Sequence, residues 1–135
     1  MDLKQLAKEL EPFDYVVQRN WQSYPEGLVP GHEDVDLFCS EEDRDEVEII
    51  CKGYDLVDVR SATDRYYPDE INSMLLQDKR EFNGFKIPSR QAYFLSLYYH
   101  DVVHKGGIYS DELKKAFLDW QPPVRCVDEG VGYYV

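Results

Sequence analysis

The amino-acid sequence predicts a small α+β fold in which a mixed β-sheet is flanked by helices. Segments with helical periodicity alternate with short β-type runs, which is the pattern of a sheet covered by helices. The length of 135 residues fits one domain, and a hydrophobic content of 43% is sufficient for a core. Neither a repeat nor a linker divides the sequence, so residues 1–135 are predicted to form a single domain.

The N-terminal half is predicted to contribute two helices and three strands. Asp2 is placed to cap a first helix with one apolar face, and Pro12 ends it. Ser40 is placed to cap a second helix with carboxylates in its first turn, and Gly53 ends that helix. The predicted boundaries are residues 2–11 (helix), 15–18 (strand), 19–33 (loop), 34–39 (strand), 40–53 (helix) and 54–59 (strand).

The C-terminal half is predicted to be mainly helical. Ser89 and Ser110 are placed to cap helices, and the pair Gly106-Gly107 ends the longer one. Pro122-Pro123 breaks the next helix, and the tail is strand-like around an acidic glycine turn. Because this tail looks unfinished, we expect the chain to continue in a longer parent protein. The predicted boundaries are residues 61–67 (loop), 68–79 (helix), 82–87 (strand), 90–105 (helix), 110–121 (helix) and 124–135 (tail).

The composition is acidic, with 27 Asp and Glu against 15 Lys and Arg and a net charge of −12. This balance argues against a nucleic acid or an anionic membrane as the partner, because both are bound through basic surfaces. It does not exclude a small phosphorylated ligand, since one cation or metal ion reverses the field locally. No apolar run approaches the roughly 20 residues that cross a bilayer, and the N-terminus lacks the features of a signal peptide.

The cysteine content indicates a reducing compartment. The three cysteines, Cys39, Cys51 and Cys126, are odd in number, widely spaced and free of any C-x-x-C pair. A disulfide framework or a cysteine zinc site is therefore not expected, and reduced thiols are. Together with the absence of targeting features, this predicts a cytoplasmic protein.

The most informative motif is the D-x-D pair formed by Asp34 and Asp36 on a predicted strand. Side chains two apart on a strand project from the same face, so the two carboxylates can share a hard divalent cation such as Mg²⁺ or Mn²⁺. Asp58, on the next predicted strand, can add a third carboxylate if the strands are neighbours. The alternative interpretation is a surface strand with a solvated acidic face.

The segment GHEDVDLFC, a helix after it, and then YDLVDVR resemble the DNA polymerase β-like nucleotidyltransferase superfamily. The resemblance covers mainly residues 15–60, and it implies that Asp34 and Asp36 bind the catalytic metal and that Asp58 is the third carboxylate. Later segments, VDVRSATDRYYP and IPSRQAYFLSLYYHDVVHK, are similar to stand-alone modules linked to bacterial surface-polysaccharide and sugar metabolism. The activity implied is transfer of a nucleoside monophosphate from a nucleoside triphosphate to an acceptor.

The sequence departs from that family before the carboxylates. The family carries a Gly-Ser or Gly-Gly turn that cradles the triphosphate, and here the place is taken by Val17-Gln18-Arg19-Asn20-Trp21. Arg19 and Asn20 can contact phosphate by charge and hydrogen bonding, but they cannot copy a backbone nest made by glycine. A catalytically degenerate domain of the same fold, which binds a protein partner, is therefore the alternative function.

Four more residues are candidates for contacts with phosphate or substrate. Arg60 lies two residues after Asp58, where it can contact phosphate, pair with a site aspartate or form an ordinary ion pair. His100 and His104 are four residues apart on a predicted helix, a spacing that suits zinc, substrate contact or hydrogen bonding within the fold. Lys105 can reach a phosphate or serve as the cationic end of that helix.

Overall fold

The computed structural model describes residues 1–28, 30–107, 110–120, 124–126 and 132–134. Its helices and strands alternate along the chain, which confirms the predicted α+β class. The helices are α1 (Leu3–Leu10), α2 (Arg44–Cys51), α3 (Asp69–Leu75), α4 (Arg90–Tyr99) and α5 (Asp111–Trp120). The strands are β1 (Tyr15–Val17), β2 (Val35–Cys39), β3 (Val57–Arg60), β4 (Arg80–Phe82), β5 (Phe85–Ile87), β6 (Val124–Cys126) and β7 (Gly132–Tyr134).

The central sheet is mixed and has the order β1-β2-β3. β1 is antiparallel to β2, and β2 is parallel to β3 through the crossover helix α2. The register places Val16 opposite Phe38 in the first pair and Asp36 opposite Asp58 in the second. Because paired residues point to the same side of a sheet, the register decides which side chains share a face.

Both faces of the central sheet are covered, so all five residues of β2 are buried. On one face, Val35, Leu37 and Cys39 of β2 pack into a large apolar cluster with α1 and α2. Tyr15 and Val17 of β1 belong to the same cluster. On the opposite face Val16 and Phe38 join a smaller cluster with Tyr67 from the segment before α3 and Ala92 from α4. The predicted alternation along residues 34–39 is therefore confirmed, whereas the solvated acidic face is not, because Asp36 is only 9% exposed.

The first helix matches its prediction closely, and the second starts later than predicted. Asp2 accepts a hydrogen bond from the Gln5 N–H at 3.0 Å, as expected of the cap of α1. Ser40 instead closes a turn at residues 41–43 through its hydroxyl, which accepts from the Asp43 N–H, so α2 begins at Arg44.

Two other elements have boundaries that differ from the predicted ones. Leu56 has a left-handed φ of 59°, which a strand does not tolerate, so β3 starts at Val57 rather than at residue 54. The predicted helix at 68–79 ends at Leu75, where the Lys79 ammonium donates to the Leu76 carbonyl at 3.0 Å and caps the last turn.

The single strand predicted for residues 82–87 is wrong. Asn83 and Gly84 both have positive φ, at 51° and 90°, and form the two-residue turn of a hairpin between β4 and β5. Asn-Gly is the sequence most suited to such a turn because both positions tolerate left-handed backbone.

The predicted long helix at 90–105 divides into α4 and a π-helical turn at His100–His104, which keeps the predicted extent. The following Pro122-Pro123 break and the acidic turn of the tail lie outside the described residues, as does the side chain of Cys126. Cys39 and Cys51 are buried free thiols. Among the described helices, none has the length and apolarity to span a membrane.

Candidate functional site

A row of polar side chains crosses the central sheet on the face of the smaller cluster. Asp36 and Asp58 are register partners on adjacent parallel strands, so their side chains leave the same face of the sheet. The Gln18 N–H donates to the Asp36 carbonyl at 2.8 Å, which continues the antiparallel ladder one residue beyond β1. Gln18, Asp36 and Asp58 therefore form one line across three strands, which we call the polar row.

Asp34, the first carboxylate of the D-x-D pair, lies outside the polar row. It precedes the first residue of β2, and its side chain is exposed, as is that of Asp58. Burial is the main cause that raises the pKa of Asp36, and the negative charges of Asp58 and Asp34 raise it further. Within the described residues, however, no group of three or more His, Cys, Asp or Glu side chains is arranged to hold a metal ion.

Arg19 supplies positive charge to the buried carboxylate. Its Nε lies 3.3 Å from Asp36 Oδ2, and the two side chains are only 11% and 12% exposed. Burial raises the pKa of Asp36 more than the Arg19 guanidinium lowers it. Arg19 Nη1 also donates to the Tyr67 hydroxyl at 3.2 Å, so the guanidinium is held between the two side chains.

Arg60 is the second cation near the polar row. It extends over the Tyr66 ring, with its guanidinium carbon 3.7 Å from the ring centroid, and its charge lowers the pKa of Asp36. Its Nη1 is buried and has no hydrogen-bond partner among the described residues. Arg60 therefore has one N–H donor without an acceptor among the described residues, and its charge acts on the nearby Asp36.

Gln18 is the site residue that the sequence analysis missed. Its side chain is 1% exposed, and neither its amide nitrogen nor its carbonyl oxygen has a hydrogen-bond partner in the described part of the chain. Leaving a buried amide unpaired costs about 1–3 kcal/mol. The signal available in the sequence was a polar residue one position beyond a fully apolar strand.

The two histidines converge on Tyr66. His100 Nδ1 is hydrogen-bonded to the Tyr66 hydroxyl at 2.8 Å, and His104 Nε2 is 2.8 Å from the Tyr66 carbonyl oxygen. The rings of His104 and Tyr66 stack with centroids 4.1 Å apart. Burial, together with the Arg19 charge, lowers the pKa of His100 to about 4, so this imidazole is neutral at pH 7. Hydrogen bonding within the fold is thus the interpretation that the contacts confirm.

A cleft of about 600 Å³ opens beside Arg19, between residues 19–22 and the helices α4 and α5. Arg19, Asn20 and His100, three of the residues predicted as candidates for contacts with phosphate or substrate, line it. The Asn20 N–H donates to Glu112 Oε2 at 2.9 Å, so its side chain rather than its backbone is available to a ligand. Lys105 is exposed, and the described lining of the cleft includes neither Lys105 nor Arg60.

Comparisons of the chain with protein-family models, with curated proteins and with solved structures found no match.

Proposed function

We propose that this protein is a metal-dependent nucleotidyltransferase that transfers a nucleoside monophosphate from a nucleoside triphosphate to an acceptor. The observation that carries the proposal is the pairing of Asp36 with Asp58 on adjacent parallel strands, with Asp34 just before the first of these strands. Two aligned carboxylates beside a cleft are the arrangement that binds a metal–triphosphate complex. The acceptor is a small molecule, such as a sugar, or a protein.

The donor chemistry of the polar row fits Mg²⁺ or Mn²⁺. The available groups are carboxylate oxygens and one carboxamide, which hard divalent cations prefer. Asp36 is a buried carboxylate whose ionised form is disfavoured by burial and by two neighbouring carboxylates, so added positive charge is stabilising there. A bound divalent ion would neutralise the triphosphate and polarise the α-phosphoryl group.

The side chains around the row have separate roles in this proposal. Asp34 and Asp36 hold the ion, and the exposed Asp58 completes the site and favours deprotonation of the acceptor. Arg19 and Arg60 neutralise phosphate charge, for which the unpartnered Nη1 of Arg60 is suited. Catalysis then consists mainly of positioning and electrostatic stabilisation.

A second candidate function is favoured by the Arg19–Asp36 ion pair. Arg19 already places a cation 3.3 Å from Asp36 Oδ2, where a metal ion would otherwise supply the charge. A domain that keeps this pair permanently is catalytically degenerate and binds a partner instead. The two candidates differ in one measurable property, which is whether a nucleotide binds only when a divalent metal is present.

The decisive experiment is calorimetric titration of ATP, GTP, CTP and UTP with and without Mg²⁺ or Mn²⁺. The wild type is compared with Asp58→Asn and with Asp55→Asn, both exposed positions at or just before β3. We chose Asp58 rather than Asp36 because its substitution leaves the Arg19 pair intact. Metal-dependent binding that weakens at least about tenfold in Asp58→Asn, but not in the charge-matched Asp55→Asn, supports the transferase.

Two results would count against it. Absence of metal-dependent nucleotide binding in the wild type rules out the catalytic candidate and leaves the binding domain. Equal affinities of the Asp58 and Asp55 variants would show that metal–nucleotide binding takes place away from the polar row.

A further inference from the structure

The cleft beside the polar row lies where an acceptor would have to enter. Arg19 belongs to both, because it lines the cleft and pairs with Asp36. His32, two residues before Asp34, also lines the cleft. Arg19 and His32 therefore link the cleft to the carboxylates, none of which is among its described lining residues, and α4 and α5 also contribute to the lining.

The helices α4 and α5 run antiparallel along the cleft. Asp101 accepts hydrogen bonds from the backbone and hydroxyl of Ser110 at the turn between them, and the rings of Phe94 and Phe117 meet further along. This arrangement brings Arg90 of α4 and Lys115 of α5 to the same cleft, and both side chains are exposed.

The cleft is locally cationic in a strongly acidic chain. Four basic side chains line it against three acidic ones, whereas the whole chain carries −12. The acidic groups have partners: Asp101 is bonded by Ser110, Glu112 by the Asn20 N–H, and Asp111 lies 3.9 Å from the Lys114 ammonium. Arg90 and Lys115, by contrast, have no ion-pair partner in the described part of the chain.

Trp21 adds an unpartnered donor to the same lining. The residue is 7% exposed, and its indole N–H has no hydrogen-bond acceptor among the described residues. Its ring packs on Tyr93, another lining residue, with centroids 5.3 Å apart. A buried indole N–H is normally hydrogen-bonded, so an acceptor atom on a ligand would complete its environment.

We propose that this cleft is the acceptor site and that it binds a small hydroxyl compound carrying a phosphate monoester, held by Arg90 and Lys115. The proposal rests on the proposed function, because it names the acceptor class for that reaction. A phosphate monoester carries a charge of about −1.5 to −2 at pH 7, which two unpaired cations match. The Trp21 N–H supplies a further donor to its oxygens.

The chemistry of the transfer follows from this placement. With the phosphate at the α4–α5 end, the hydroxyl of the acceptor points toward Arg19 and the polar row. Its oxygen forms a bond to the α-phosphorus of the nucleotide, and the bond between that phosphorus and the bridging oxygen breaks. Pyrophosphate leaves with the electron pair, and the hydroxyl proton passes to Asp58.

The test uses Trp21 fluorescence as a reporter in the full chain. The chain has two tryptophans, so Trp120→Phe leaves Trp21 as the single one. Glucose 6-phosphate, gluconate and glucose are titrated without metal or nucleotide, which compares phosphate, carboxylate and neutral probes of similar size. We expect saturable quenching by glucose 6-phosphate at least about tenfold tighter than by gluconate, and none by glucose.

The variants compare equal losses of charge. Lys115→Gln should weaken glucose 6-phosphate binding at least about fivefold, whereas Lys4→Gln, at an exposed lysine of α1 outside the described lining, should leave it unchanged. Arg90→Gln should act like Lys115→Gln. Equal affinities of the Lys115 and Lys4 variants, or tighter binding of gluconate or glucose, would overturn the assignment.

Asp58→Asn separates this inference from the proposed function. If it abolishes metal–nucleotide binding but keeps glucose 6-phosphate binding, both proposals stand. If the wild type binds the sugar phosphate but no metal–nucleotide, the cleft remains an anion site and the transferase fails. If the wild type binds the metal–nucleotide but no phosphate monoester, the acceptor assignment fails alone.

Discussion

Both faces of strand β2 are buried, but one face carries apolar core residues and the other carries part of the polar row. On one face, Val35, Leu37 and Cys39 lie in the large apolar cluster, each at most 1% exposed. On the other, Asp36 lies between Gln18 and Asp58. Burial stabilises the first face by removing apolar surface from water, and it destabilises the second unless partners compensate the polar groups. The contrast shows that one strand can form the core with alternate residues and a site with the others.

The largest effect is expected on the apolar face. Leu37→Ala should lower the free energy of unfolding by about 4 kcal/mol, because it removes a fully buried side chain and leaves a cavity. Denaturant unfolding followed by circular dichroism measures the loss.

Ile49→Ala is the control, since Ile49 is 66% exposed on α2 and should lose less than about 0.5 kcal/mol. Similar losses at the two positions would mean that the large cluster does not dominate the stability of the fold.

The second-largest loss of stability is expected on the polar face of β2. Arg19→Met should lower the free energy of unfolding by about 3 kcal/mol at pH 7, because it removes the ion-pair partner of the buried Asp36. Millimolar Mg²⁺ should restore part of this loss if Asp36 holds the ion. Thermal and urea unfolding with and without Mg²⁺ measure both effects.

Arg65→Met, at an exposed position, is the control for removing an arginine. A loss in the Arg19 variant that Mg²⁺ does not reduce would favour the degenerate domain over the transferase.

The sequence predicted the elements and faces that depend on local pattern. The strand predicted at residues 34–39 is present as β2, and Asp2 was correctly assigned as a helix cap. The Asn83-Gly84 turn was missed although its signal is local, because the whole run was interpreted as one strand.

The features of the site that the sequence could not predict depend on contacts between residues that lie far apart in the chain. Arg19 and Asp36 are brought together by strand pairing, and the cleft exists because α4 and α5 pack beside residues 19–22. The cover over Asp36 also comes from later segments, including Tyr67. Spacing along the chain reports none of these contacts, since they depend on tertiary packing.

A third prediction changes stability and binding in opposite directions. Gln18→Leu should raise the free energy of unfolding by about 1 kcal/mol without ligand, because it replaces an unpaired buried amide by an apolar group of similar size. It should also weaken metal–nucleotide binding if the amide contacts the bound group. Urea unfolding and calorimetry measure the two effects.

Gln91→Leu, at an exposed position of α4, is the matched control and should change neither quantity appreciably. A destabilised Gln18→Leu protein with unchanged nucleotide binding would mean that the amide is hydrogen-bonded structurally, for instance to a buried water.

The smallest expected effect is the pH dependence contributed by Asp36. Its pKa is raised in the folded chain, mainly by burial, so the folded state binds this proton more tightly than the unfolded state does. Its contribution to stability is complete below the ordinary pKa of 3.8 and is lost as the pH rises through the raised value. The unfolding free energy of the wild type relative to Asp36→Asn should therefore be larger at pH 4 than at pH 7.

Urea unfolding of the wild type, Asp36→Asn and the exposed-site control Asp55→Asn at several pH values tests this sign. A relative stability that increases with pH would show that the Arg19 pair outweighs burial. Saturating Mg²⁺ sharpens the comparison, because metal binds the ionised carboxylate and should reverse the slope in the wild type but not in Asp36→Asn. That reversal would show that a metal ion, and not Arg19 alone, supplies the positive charge that compensates the Asp36 carboxylate.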